Sequence, residues 1–225
     1  SVALKVLAPE RLGQGLARAA FHTEVRAQSR LDHPRIVRVR AHGFVDASEA
    51  GPDVPAGAAW LAMDLAPHGS LDRYPEPLSW AGIKGVLLGL LDALAHAHAR
   101  GVVHRDLKAA NLLVFRHAAE PGGPPDVRVA DFGLAHAVGG GSAGGARLGT
   151  PRAMAPEQFR GLTADQGPWT DLYALGCLAW ELVCGEPVFP GQEPETQRMA
   201  HLLHEPRALP PDLHVPVGFE DWLHR

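Results

Sequence analysis

The feature that most constrains the fold is a polar stretch at residues 104–111, His-Arg-Asp-Leu-Lys-Ala-Ala-Asn, followed by apolar runs of strand type. The first run, 112–115, follows directly, and the second, 126–130, ends at Asp131-Phe132-Gly133. Two strands that are close in sequence therefore bring Asp106, Asp131 and Asn111 to one place. Mg²⁺ prefers oxygen ligands, and a reacting hydroxyl needs a carboxylate to take its proton. The stretch thus indicates magnesium-assisted phosphoryl transfer.

Composition and charge limit the classes of partner. The chain has 225 residues, of which 46% are hydrophobic, so it can bury a core. Its net charge of −4 provides no basic field for nucleic acid or an anionic membrane, and we expect neither partner. Cys177 and Cys184 fall within one predicted helix, where a disulfide is not normally possible, so we expect free thiols in a reducing compartment. We find no signal peptide and no uninterrupted apolar run of eighteen or more residues.

Residues 104–111 resemble the H-R-D-L-x-x-x-N catalytic loop of protein kinases. Taken singly, these residues could be a core histidine, solvated surface and turn formers. The ordered set of further kinase-like motifs argues against that reading. The motifs are V-A-L-K at 2–5, H-P-R-I-V at 33–37, D-F-G at 131–133, G-T-P-R-A-M-A-P-E at 149–157 and D-L-Y-A-L-G at 171–176.

The resemblance implies a catalytic role for four of the matched residues. Asp106 would orient the acceptor hydroxyl and act as its base, and Lys108 would steady the transferred phosphoryl group. Asn111 and Asp131 would bind magnesium. Lys108 after Asp-Leu, together with the G-T-P sequence, favours serine or threonine over tyrosine as the acceptor.

The resemblance also implies a nucleotide site. Lys5 would hold the α- and β-phosphates of ATP. Glu24, on a helix predicted over 12–31, would pair with Lys5 and position it. The other residues expected to contact the nucleotide are Ala3, Met63, Asp64, Leu65, Ala66 and Leu113.

Several residues would support or modify the site. Asp171 is expected to hold the backbone of the catalytic loop from a helix predicted over 170–184. Gln28 stands where kinases place an apolar residue against the Phe of D-F-G, so it should weaken the contact with Phe132 and favour an inactive, helix-out population. Ala153 replaces the usual Tyr of the G-T-P-x-Y segment, which alters packing there.

Only Ser142 and Thr150 carry hydroxyls between Asp131 and Glu157. Thr150 would belong to the platform that receives the substrate. Ser142, within a glycine-rich loop, is either the acceptor of an activating phosphate or simply one more small residue of a flexible linker.

We therefore predict an α+β, bilobal protein-kinase-like fold of the bacterial eukaryotic-like type. Residues 1–66 would be a partial N-lobe and hinge, and residues 67–225 a mainly helical C-lobe. Two parts of the kinase pattern have no match in this sequence. One is the Gly-rich loop expected before Val2, and the other is the last helices, including the Arg that normally pairs with the residue matching Glu157. We expect a domain truncated at both ends and nearly inactive by itself. ATP and Mg²⁺ would be the cofactors and a protein with a Ser/Thr acceptor the partner, in the cytoplasm or on the cytoplasmic side of a membrane-anchored protein.

Two alternative functions remain open. A pseudokinase would keep the fold as a scaffold without phosphotransfer, and the segment before Val2 would decide this. A small-molecule phosphotransferase of the aminoglycoside-kinase type shares H-x-D-x-x-x-x-N. Such enzymes lack the A-P-E segment and the D-x-Y-x-L-G helix that this sequence has, so this alternative is the weaker one.

Overall fold

The computed structural model describes residues 1–7, 16–52, 54–132, 152–161, 163–191 and 193–224. The strands are β1 (Val2–Leu7), β2 (Val39–Phe44), β3 (Ala59–Asp64), β4 (Leu112–Arg116) and β5 (Asp126–Val129). The α-helices are α1 (Leu16–Ser29), α2 (Trp80–His98), α3 (Pro156–Phe159), α4 (Pro168–Cys184), α5 (Pro194–Leu203) and α6 (Phe219–Leu223). Short 3₁₀ turns occupy Leu71–Arg73, Ala109–Asn111 and Thr163–Asp165.

The N-terminal sheet is antiparallel, with strand order β1-β3-β2. The central strand β3 alternates in burial, so that Ala59, Leu61 and Met63 face the core. This follows from the pleat, because successive strand residues point to opposite faces. Phe21 and Val25 of α1 are fully buried in the same apolar cluster, so α1 covers this face of the sheet.

A second sheet, the antiparallel pair β4 and β5, joins the two parts of the chain. The Val37 amide donates to the Val129 carbonyl at 2.8 Å, and the Val129 amide donates to the Arg35 carbonyl at 2.8 Å. The sequence of residues 36–44 predicts a strand, but β2 begins only at Val39, because Ile36 makes a single parallel bridge to Val129 instead. These bonds fix the loop after α1 against the strand that leads to Asp131.

Helix α2 is the centre of the C-terminal core. The Ser79 hydroxyl caps it by accepting from the Gly82 amide at 3.3 Å. Its apolar residues recur at helical spacing, and eight of its residues are buried. Within the described part of the chain, α2 is the one helix long and apolar enough to cross a membrane, judged by length and composition. Because α2 packs against β5 and α4, its apolar residues belong to the core of the C-terminal part.

Helix α4 packs against α2 and ends at Gly185, whose φ of +73° is the left-handed conformation typical of helix ends. Helical spacing predicts that Leu172 lies on the buried apolar stripe of this helix, but this prediction is wrong, because the side chain is 50% exposed. Its neighbour Asp171 faces the catalytic loop, and consecutive helix residues point about 100° apart. At the C-terminus, the sequence predicts that a helix starts at Trp222, whereas the helix observed there begins at Phe219 and ends at Leu223.

Candidate active site

The loop that carries Asp106 is held from below by Asp171. This carboxylate is fully buried and accepts three hydrogen bonds: from the backbone amides of His104 and Arg105, both at 2.8 Å, and from His98 Nε2 at 2.7 Å. Charged acceptors make the stronger hydrogen bonds, and a buried one must be satisfied. The predicted supporting role of Asp171 agrees with these contacts. The contact of His98, at the end of α2, with Asp171 was not predicted from the sequence.

His104 connects the catalytic loop to β5. Its Nδ1 accepts from the Asp106 amide at 3.2 Å, so the proton lies on Nε2, which donates to the Ala130 carbonyl at 2.8 Å. The ring is fully buried and packs on Phe132 at 4.7 Å between centroids. The Ala130 amide also donates to the Asn111 carbonyl at 2.9 Å. The residue that precedes Asp131 is therefore bonded to the loop at two points.

Two residues of the site have a left-handed backbone although neither is glycine. The φ angle is +66° at Arg105 and +63° at Asp131. Such angles cost a non-glycine residue about 1–3 kcal/mol unless the surroundings impose them. At Arg105 the carbonyl accepts from Gln158 Nε2 at 2.7 Å, and Asp171 binds the amide. Gln158, directly after the A-P-E motif, thus holds the strained turn from a second side.

Asp106 lies between Lys108 and Asn111. Lys108 Nζ donates to both carboxylate oxygens, at 2.9 and 2.7 Å. Asn111 Nδ2 donates to the Asp106 carbonyl at 2.7 Å and to its Oδ2 at 3.0 Å. The carboxylate is about a third exposed, so a substrate can reach it while its orientation is fixed. A carboxylate held in this way can orient a hydroxyl and accept its proton.

Asp131 presents one bonded and one unbonded oxygen. Its Oδ2 accepts from Lys5 Nζ at 2.7 Å, whereas its Oδ1 is buried without a hydrogen-bond partner in the described structure. Asn111 uses its amide nitrogen for Asp106, which leaves the amide oxygen as a potential ligand. No group of three or more His, Cys, Asp or Glu residues forms a metal cage among the described residues. Two oxygen ligands nevertheless fit Mg²⁺, which takes few protein ligands and keeps waters and substrate phosphates.

The predicted ion pair between Lys5 and Glu24 is replaced by two others. Lys5 reaches Asp131, and Glu24 Oε1 lies 3.8 Å from a guanidinium nitrogen of Arg105. Both pairs connect the N-terminal part of the chain to the catalytic region. Gln28, one turn after Glu24, is 2% exposed, and its Oε1 has no hydrogen-bond partner in the described structure. Phe132 is buried and packs on His104.

The residues expected around the nucleotide base lie near one another. Ala3 is paired with Met63 across β1 and β3, and both belong to the apolar cluster that includes Leu113. Asp64 accepts from Arg40 Nε at 2.6 Å. Leu65 and Ala66 follow β3, and Leu65 is exposed. Some of the predictions cannot be compared with the structure. Gly133 of D-F-G, Ser142 of the glycine-rich loop and Thr150 of G-T-P lie outside the described residues.

The A-P-E segment is attached to α4. Glu157 Oε1 accepts from the Thr170 hydroxyl at 2.6 Å, and Thr170 Oγ1 accepts from the Gly167 amide at 3.1 Å. The Thr170 hydroxyl is therefore a hydrogen-bond partner for the Glu157 carboxylate, whose usual Arg partner was expected to be missing. Ala153 packs against both C-terminal apolar clusters, so the small side chain at this position contributes to the core.

The protein kinase domain model matches residues 1–217, and the chain belongs to the protein kinase family. This confirms the predicted fold class. The chain is 35% identical over 217 residues to serine/threonine-protein kinase PknA of Mycobacterium tuberculosis, covering 94% of this chain and 47% of the relative. It is 32% identical over 222 residues to a probable serine/threonine-protein kinase of Corynebacterium efficiens, covering 95% and 31%. The chain thus spans less than half of the length of these relatives.

A solved structure gives the same result. The kinase domain of Mycobacterium tuberculosis PknI superimposes with a TM-score of 0.62 and 28% sequence identity, over 84% of this chain and 66% of that one. This likeness supports the bilobal arrangement expected from the motifs.

Proposed function

We propose that the chain is the catalytic part of a serine/threonine protein kinase that transfers the γ-phosphoryl group of ATP to a protein hydroxyl. The observation that carries this proposal is the geometry around Asp106. Its carboxylate is oriented by Lys108 and Asn111, on a loop held by Asp171, and a hydrogen bond joins that loop to the residue before Asp131. Phosphoryl transfer needs mainly positioning and charge stabilisation, which this arrangement provides.

Each polar side chain has a defined task in this proposal. Asp106 accepts a hydrogen bond from the substrate hydroxyl and takes its proton on a carboxylate oxygen as the oxygen–phosphorus bond forms. Lys108, already within 3 Å of that carboxylate, turns its ammonium group toward the transferred phosphoryl oxygens. Asn111 keeps the carboxylate in place through its amide nitrogen.

The nucleotide would occupy the space between β1 and Asp131. Lys5 is the cation for its phosphates, and Ala3, Met63 and Leu113 supply the apolar contacts, with 64–66 as the hinge segment. Asp131 Oδ1 and the Asn111 amide oxygen would hold Mg²⁺. Bound magnesium supplies positive charge to the phosphate oxygens. Glu24 is the proposed partner that steadies Lys5 when Lys5 leaves Asp131.

The proposed partner is a protein with a Ser or Thr acceptor, in line with the names of the relatives. The cytoplasm, on either a free or a membrane-anchored protein, is the proposed site of action. Cys177 and Cys184 are both free thiols, which suits a reducing compartment that supplies ATP.

Because the chain by itself is expected to be nearly inactive, the test uses a protein extended at both ends and compares Asp106→Asn with the unsubstituted form in transfer of labelled phosphate from Mg-ATP to a generic Ser/Thr protein substrate. Loss of a general base lowers kcat by about 10²–10⁴-fold with little change in KM, because the interaction exists mainly in the transition state. Asp221→Asn, an exposed aspartate on α6, is the matched control and should keep its rate. Equal rates for the two variants would refute the assignment of Asp106. Nucleotide binding without transfer in any of these proteins would favour the pseudokinase alternative.

A further inference from the structure

A cavity of about 480 Å³ lies between α2 and the hairpin formed by β4 and β5. It shares no lining residue with the candidate active site. One end is basic, with Arg35, Arg116 and His117, and Asp126 is the one carboxylate in the lining. The rest is apolar, with Val86 of α2 and the prolines of the hairpin turn among its residues. The cavity therefore has an apolar part, lined by α2 and the hairpin turn, and a cationic end at Arg35 and Arg116.

The cationic end contains more positive charge than its carboxylate can balance. Three arginines converge on Asp126: Arg35 at 3.1 Å on Oδ1, and Arg128 at 3.4 Å and Arg116 at 3.5 Å on Oδ2. Three positive charges thus face one negative charge. Hydrogen bonds from guanidinium to carboxylate are normally 2.7–2.9 Å long, so the last two contacts are weak. The cluster retains an attraction for a further anion.

Most guanidinium donors of the cluster are also unused. Each arginine has five N–H groups. Arg128 Nε is buried without an acceptor in the described structure, and its guanidinium is fixed 4.0 Å above the ring of Phe115. Arg116 is 81% exposed and can reorient toward a ligand. Arg128 thus forms a rigid base for the cluster, and Arg35 and Arg116 present their donors to the cavity.

Two glycines in α2 shape the floor. Glycine is unfavourable inside a helix, yet α2 has Gly85 and Gly89 at the cavity. A Cβ atom at Gly85 would lie 2.6 Å from Cβ of Pro124, and one at Gly89 would lie 3.4 Å from Arg35 Nε. The glycines therefore let the turn and Arg35 approach the helix. Arg35 is the third residue of the H-P-R-I-V motif at 33–37, and the candidate active site assigns its side chain no role.

We propose that this cavity binds a phosphorylated Ser or Thr side chain, with its flanking apolar residues, in a segment of a protein partner. A phosphate monoester is nearly dianionic and offers three acceptor oxygens, so it can bridge Arg35 and Arg116 while Asp126 keeps its own contacts. A carboxylate has one charge and would only duplicate Asp126. The volume suits two or three residues. The inference rests on the proposed function, since such segments are the products of a Ser/Thr kinase.

The experiment measures fluorescence anisotropy of a labelled peptide, Leu-Pro-phosphothreonine-Pro-Leu, with the full 225-residue chain at physiological salt and without ATP. Because the phosphate is already on the peptide, failure of phosphotransfer cannot produce failure of binding, and Asp106→Asn should bind it normally. Arg116→Gln should weaken binding by about tenfold or more, since it removes a charge-assisted contact. Gly89→Leu, which fills the floor, should also weaken it. Arg198→Gln, in an exposed pair with Glu195, is the matched control and should bind as the starting chain does.

Three comparison ligands decide the class of occupant. The same peptide with unmodified threonine, or with glutamate in its place, should bind at least about tenfold more weakly. Inorganic phosphate should compete only at much higher concentration than the unlabelled phosphopeptide. Equal binding of the phosphorylated and unmodified peptides, or equal affinities for Arg116→Gln and Arg198→Gln, would overturn the proposal. Equal competition by inorganic phosphate would overturn its peptide part, and tight binding of the glutamate peptide would overturn its requirement for phosphate.

Discussion

Replacing Asp171 by Asn should destabilise the protein and disorder the catalytic loop. Asp171 uses two oxygens to accept from three donors, whereas asparagine offers one oxygen and one amide group. In either orientation, the amide faces a backbone N–H of His104 or Arg105, which is left without an acceptor. A buried donor without a partner costs about 1–3 kcal/mol, and the loss of charge from the remaining bonds adds about 1 kcal/mol. We expect a decrease of roughly 2–4 kcal/mol in the free energy of unfolding.

Urea unfolding followed by tryptophan fluorescence measures this change, with Asp165→Asn, an exposed aspartate close in sequence, as the matched control. The effect on activity should exceed the effect on stability. At a temperature where the variant remains folded, kcat of the protein extended at both ends should still fall, because the loop has lost an acceptor for the backbone amide of His104 or Arg105. If Asp171→Asn matches Asp165→Asn in both the free energy of unfolding and kcat, the supporting role derived from the hydrogen bonds is incorrect.

Two further changes test buried polar groups away from Asp106. Gln28→Met removes a buried oxygen that has no hydrogen-bond partner in the described structure, so the free energy of unfolding should rise by about 1–2 kcal/mol; a lower value in urea unfolding would contradict this. Burial lowers the pKa of His201 from 6.5 to about 4. Between these pH values the unfolded chain binds a proton that the folded chain does not, so stability should fall with falling pH, by at most about 3 kcal/mol. His201→Leu should reduce this slope, and exposed His214→Leu should not; equal slopes would contradict the assignment.

The proximity of the polar side chains around Asp106 was predictable from the sequence because it is encoded locally. Asp106, Lys108 and Asn111 lie within six residues of one another, and one loop with the following strand suffices to bring them together. The role of Asp171 was predicted from the family resemblance rather than from spacing. Its contacts with His104 and Arg105 depend on how α4 packs, which periodicity alone does not specify.

The sequence was less informative where long-range packing selects among several charged partners. Lys5 could reach either Glu24 or Asp131, and the left-handed backbone at Asp131 is not visible as a sequence motif. Leu172 fits an apolar stripe by spacing but faces outward, because its neighbour Asp171 occupies the buried side. The arginine cluster around Asp126 draws on segments 91 residues apart, so only Arg35 and the helix glycines could have suggested it.

The buried imidazole of His104 links two parts of the molecule, the loop that carries Asp106 and the end of β5 that leads to Asp131. Its two nitrogens bond the Asp106 amide on one side and the carbonyl before Asp131 on the other, and the ring is fully buried. A displacement of the end of β5 should therefore move the backbone of Asp106, because a single imidazole ring separates the two. These two hydrogen bonds therefore couple the position of Asp106, the proposed base, to that of Asp131, the proposed metal ligand.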